Sequence, residues 1–184
     1  MSFLAKLDNV SKYYDNIIVI SHCRDELVFF YDFITHKTLL ILITKPTSER
    51  ELFIINDLVI QKGCELIVLD NINSFDTNFQ LNQKTKDILN IYSKYYGYDK
   101  FITQAKTTVQ SDVVSRAVYD FVSSLHLNNH YIPEYKKTNK KITAEFNKYA
   151  LKYAKVYLIK ESHIKNRILM FQNTYLSVNN LIKV

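Results

Sequence analysis

Short apolar runs alternate along this chain with longer amphipathic stretches. The runs 17–21, 38–44, 65–69, 99–103 and 155–159 are nearly continuous in Ile, Leu, Val and aromatic residues. Strands covered on both faces of a parallel sheet read this way, whereas a half-exposed strand alternates apolar with polar. The stretches between them predict helices at 25–35, 48–62, 81–96, 111–126 and 142–154, with a last one at 162–176. Several boundaries carry their own signals. Thr47 and Ser48 stand before Glu49 and Glu51, the order of an N-cap followed by first-turn carboxylates, and Gly63 is placed to end that helix. Ser111 and Asp112 open a later one in the same manner.

Strand–helix–strand alternation with short connections predicts an α/β fold. The expected form is a three-layer Rossmann-like sandwich, a mostly parallel sheet of about five strands with helices on both faces. No repeat, low-complexity tract or linker interrupts the chain, so residues 1–184 read as a single domain. Sites in such sheets lie beyond the carboxyl ends of the strands. That edge should gather Ser21, His22, Asp25 and Glu26 after the first run, then Lys45 and Arg50 after the second. Asp70, Asn71 and Asn73 follow the third run, Gln104 and Lys106 the fourth, Glu161 and His163 the fifth. Cys64 precedes its strand and belongs to the opposite edge from Cys23.

Composition narrows the function classes. The chain is 47% hydrophobic and 23% charged, ordinary for a soluble globular domain. The formal charge is +6, but the lysines are scattered and only 136–141 is a dense cluster, best read as a solvated loop. No specific nucleic-acid binding is expected. Two cysteines make no disulfide framework and fit a reducing compartment. The first residues are mixed polar rather than signal-like, and no apolar stretch reaches the roughly 20 residues of a membrane span. The expectation is a soluble, intracellular, cytoplasmic protein. No Gly-x-Gly-x-x-Gly is present, which argues against a dinucleotide site of the usual kind.

The densest chemistry is His22-Cys23-Arg24-Asp25-Glu26, directly after the buried run Ile17–Ile20. His22 and Asp25 have side chains that ligate divalent metals well. Arg24, a permanent cation, opposes such a site. On the residues alone a second reading stands beside the metal site. Asp25 and Glu26 would be first-turn carboxylates that favour the helix dipole, and His22 a loop residue.

The order of motifs resembles the PIG-L/LmbE-like deacetylases, zinc-dependent enzymes that remove acetyl groups from N-acetylglucosamine conjugates. That family ends its first strand in His-Pro-Asp-Asp-Glu, the place of His22–Glu26 here. Its second strand ends in Thr, followed by an Arg and a Glu opening a helix and a Gly before the third strand. This chain has Thr44, Arg50-Glu51 and Gly63. Its fourth strand, ending Ile-Thr-His, leads to a His-Pro-Asp-His helix start. Ile102-Thr103-Gln104 and Gln110-Ser111-Asp112-Val113 stand there. The likeness is coarse and runs from about residue 16 to 125.

The resemblance implies a zinc ion held by His22 and Asp25. It puts Arg24 at the general-base position, Gln110 where a histidine stabilises the tetrahedral intermediate, and Asp112 at the aspartate of the second motif. Val113 stands where the family has its third metal ligand, and Arg50 matches a residue that helps hold substrate. Of the metal, base and intermediate-stabilising positions, only His22 and Asp25 keep the family's residue type, and the Gly pair after the first motif is replaced by Val28-Phe29-Phe30. Metal-assisted amide hydrolysis needs a held Lewis acid, a base and an oxyanion stabiliser, and an arginine cannot be the base. His163, beyond the last predicted strand, is the candidate for a substitute third ligand. His126 and His130 are four apart at the far end of helix 111–126, roughly 20 Å from the motif, and His36 faces the opposite edge. The expected function is therefore a divergent, catalytically degenerate family member that keeps a pocket for an N-acetylated amino-sugar conjugate or a protein partner, with zinc weakly held or absent. The alternative is an active metal-dependent N-acetyl-sugar deacetylase with a non-standard third ligand.

Overall fold

The structure is a computed structural model that describes residues 12–23, 30–71, 76, 78–104, 113–133 and 181–184. Its strands are β1 (Tyr13–Ile20), β2 (Thr38–Thr44), β3 (Glu65–Asn71), β4 (Gly97–Ile102), β5 (His130–Pro133) and β6 (Leu181–Lys183). Its helices are α1 (Glu49–Lys62), α2 (Gln83–Tyr95) and α3 (Val113–Ser124). The strands form one sheet in the order β3-β2-β1-β4-β5-β6. Every pairing from β3 to β5 is parallel, and β6 runs antiparallel to β5, so the sheet is mixed.

The continuous apolar runs have the predicted cause. All seven residues of β2 are buried, as are Ile17–Ile20 of β1. Alternate residues serve two different cores. Ile18, Ile20, Leu40, Leu42 and Ile102 join Ile54, Ile55 and Leu58 of α1. Ile17, Val19, Ile41, Ile43 and Phe101 join Leu89 of α2 and Val114, Val118 and Val122 of α3. A strand with helix-borne residues packed against both faces has no polar positions to spare, which is why periodicity of two is absent from its sequence. Tyr14, Tyr92, Tyr96 and Tyr98 join the second core, and Tyr92 stacks on Tyr96 at 4.3 Å. Burial there pushes the Tyr92 phenol up to about 12.

The α1 boundaries follow the sequence signals. The Ser48 side chain accepts from the Glu51 N–H, and Glu51 reaches back to accept from the Thr47 N–H and hydroxyl at 2.8 and 2.7 Å. At the other end Gly63 takes φ 65°, and the N–H groups of Gly63 and Cys64 close onto Ile60 and Val59 carbonyls.

Other expectations are corrected. Of the helix predicted over 25–35, residues 25–29 lie outside the described residues; Phe30 is helical, a 3₁₀ turn follows at Tyr31–Phe33, and Ile34 is extended, so the helix ends before 35. The Phe33 carbonyl is taken by Asn16 Nδ2 at 2.8 Å, and Thr35 and Thr38 bond each other across a turn, so the backbone groups a helix would use are already engaged. The first strand begins at Tyr13 rather than 17, because Tyr13 and Tyr14 pair with Gly97 and Tyr98. A fifth parallel strand lies at His130–Pro133, where helix-end residues were expected. The predicted strand at 155–159 and the helices at 142–154 and 162–176 lie outside the described residues.

Candidate functional site

The strand order reverses beside β1: β2 and β3 lie on one side, β4 and β5 on the other. In open α/β sheets this switch point opens a crevice at the carboxyl edge, because the connections leave the two central strands in opposite directions. The residues leaving β1 and β4 therefore define the candidate site. Ile18 is in register with Ile102, so Ser21 and Gln104 leave the ends of adjacent strands one residue apart in register.

Ser21 is 1% exposed, and its carbonyl accepts from the Thr44 hydroxyl at 2.7 Å and from the Thr44 N–H at 3.2 Å. Thr44 thus pins the start of the His22 loop to the end of β2. A threonine suits this place because its branched side chain fits the buried strand while its hydroxyl donates to the carbonyl. His22 and Cys23 follow, both half-buried, and Cys23 packs against the α1-side core.

Gln104 is 2% exposed. Its Oε1 accepts from the Ser115 hydroxyl in the first turn of α3. Its Nε2 is buried without a partner, as is Ser21 Oγ. Two unsatisfied side-chain atoms on adjacent strand ends are unusual, since each such group costs about 1–3 kcal/mol when nothing bonds it. The chemistry on offer is an amide donor and a hydroxyl, suited to a polar ligand with hydroxyl or carbonyl groups.

Beneath Gln104, Thr103 Oγ1 is bonded to His130 Nε2 at 2.8 Å, and both residues are buried. Desolvation lowers the His130 pKa to about 4, so the ring is neutral near pH 7. His130 is thus a core histidine at the start of β5, and it does not share a helix with His126. His126 instead sits just past α3 with φ 50°. The signal for β5 was present in Asn128-Asn129 followed by Tyr131-Ile132-Pro133, a turn pair and a short apolar run closed by proline.

Polar residues at the end of β3 serve the fold. Asn71 Nδ2 donates to the Ile43 carbonyl and to Thr85 Oγ1, and Asn71 Oδ1 accepts from the Asn82 N–H at 3.2 Å. Asn82 caps α2 by accepting from the Thr85 N–H at 2.8 Å. Asp70 bonds Lys84 at 3.3 Å, and that ammonium holds the exposed carboxyl below its usual range. Together these contacts lock the entry of α2 onto β3.

Arg50 is exposed in the first turn of α1, beyond the carboxyl end of β2, the edge that the sequence assigned to it. His36 is exposed in the turn before β2, at the opposite edge, also as expected. Arg24, Asp25, Glu26, Asn73, Lys106, Gln110, Asp112, Glu161 and His163 lie outside the described residues. Val113 is 4% exposed within the α3-side core and has no ligating atom. Among the described residues no group of three His, Cys, Asp or Glu side chains could hold a metal ion. The described residues therefore supply His22 alone from the implied zinc set, and no step of a reaction is derived through a metal.

Comparison with family models, with curated proteins and with solved structures gives no match. Among the described residues, no helix is long and apolar enough to cross a membrane.

Proposed function

We propose that this chain is a divergent, non-catalytic PIG-L/LmbE-like domain, a three-layer Rossmann-like sandwich that binds an N-acetylated amino-sugar conjugate at the carboxyl edge between β1 and β4. One juxtaposition carries the reading. The ends of β1 and β4 carry the buried, unsatisfied Ser21 Oγ and Gln104 Nε2, while the residue at the position the family likeness gives to the third metal ligand is a valine packed into the core. The first feature supplies polar recognition without charge. The second removes a ligand that a catalytic zinc with three protein donors requires. Arg24 at the general-base position points the same way, because a guanidinium stays protonated and cannot activate water.

Calorimetric titration with N-acetylglucosamine and its glycosides tests the proposal. The expected result is saturable binding that Gln104→Leu weakens about tenfold, the worth of one neutral hydrogen bond of about 1.4 kcal/mol. Absence of binding to every amino-sugar conjugate would contradict the ligand class. Release of acetate from such a conjugate, abolished in His22→Ala, would replace this reading with an active deacetylase.

A further inference from the structure

We draw no further inference here: the strongest candidate, the exposed apolar patch of Leu52, Phe53 and Ile60 on α1, carries nothing because nothing in the structure shows what covers it.

Discussion

His130 makes the protein's stability depend on pH in a way its surroundings allow to be worked out. The ring is 2% exposed, is bonded to Thr103 Oγ1, and has its pKa lowered by desolvation to about 4. In the unfolded chain an imidazole titrates near its usual value of about 6.5. The native state therefore binds fewer protons than the unfolded state between those values, so unfolding becomes easier as pH falls. The contribution is fully present above about pH 6.5 and is lost progressively down to about pH 4. The loss is about 2 kcal/mol at pH 5 and about 3 kcal/mol at pH 4. The assay is urea unfolding of the wild type and of His130→Gln from pH 7.5 to pH 4. Glutamine places an amide where Nε2 bonds Thr103 but does not titrate, and taking the difference between the two curves cancels the common carboxylate contributions. The wild type should lose the stated amounts relative to the variant. Parallel curves, or a wild type that gains on the variant with falling pH, would refute the assignment of His130 as a neutral core residue.

Three further outcomes follow from the fold. Asn71→Leu removes the contacts that join β3 to Asn82 and Thr85, and should cost about 2–4 kcal/mol because it leaves buried partners unsatisfied; urea unfolding gives the cost, and hydrogen exchange should show early opening at the start of α2. Thr44→Val keeps the shape of the side chain but deletes the hydroxyl bonded to the Ser21 carbonyl, and should cost about 1 kcal/mol, read by urea unfolding; under the proposed function it should also weaken the titrated affinity for an amino-sugar. Gly63→Ala places a Cβ at ordinary contact distance, 3.7 Å from His36 Cβ, but at φ 65°, so about 1 kcal/mol of backbone strain, without a steric clash, should appear as a lower melting temperature.

The central strands β1 and β2 were legible because strands buried on both faces leave continuous apolar runs, whereas the run at β3 marks a half-buried strand and β6 was not read from the sequence. Thr38–Thr44 shows this in full, every residue being inside. The α1 boundaries were legible because Ser48, Glu51 and Gly63 act through local backbone geometry that sequence spacing encodes directly. The first predicted helix was misread at its end, because what stops it there is tertiary: Asn16 takes the Phe33 carbonyl from a distant strand. β5 was missed because His130 looks like a polar surface residue until Thr103 is placed beside it. At the site, Ser21 and Gln104 were assigned to the right edge from strand polarity alone. Their burial, the bond from Ser115 to Gln104 and the structural employment of Asn71 depend on which elements pack together, and spacing along the chain does not encode that.

The central claim, a binding domain that no longer performs metal-assisted hydrolysis, is tested most directly by the zinc content of protein purified without chelator and dialysed against added zinc. The expected result is less zinc than chain, unchanged in His22→Ala, with zinc uptake raised when Arg24→Asp and Val113→His together install the base and ligand of the proposed family. One zinc per wild-type chain, lost in His22→Ala, would contradict it.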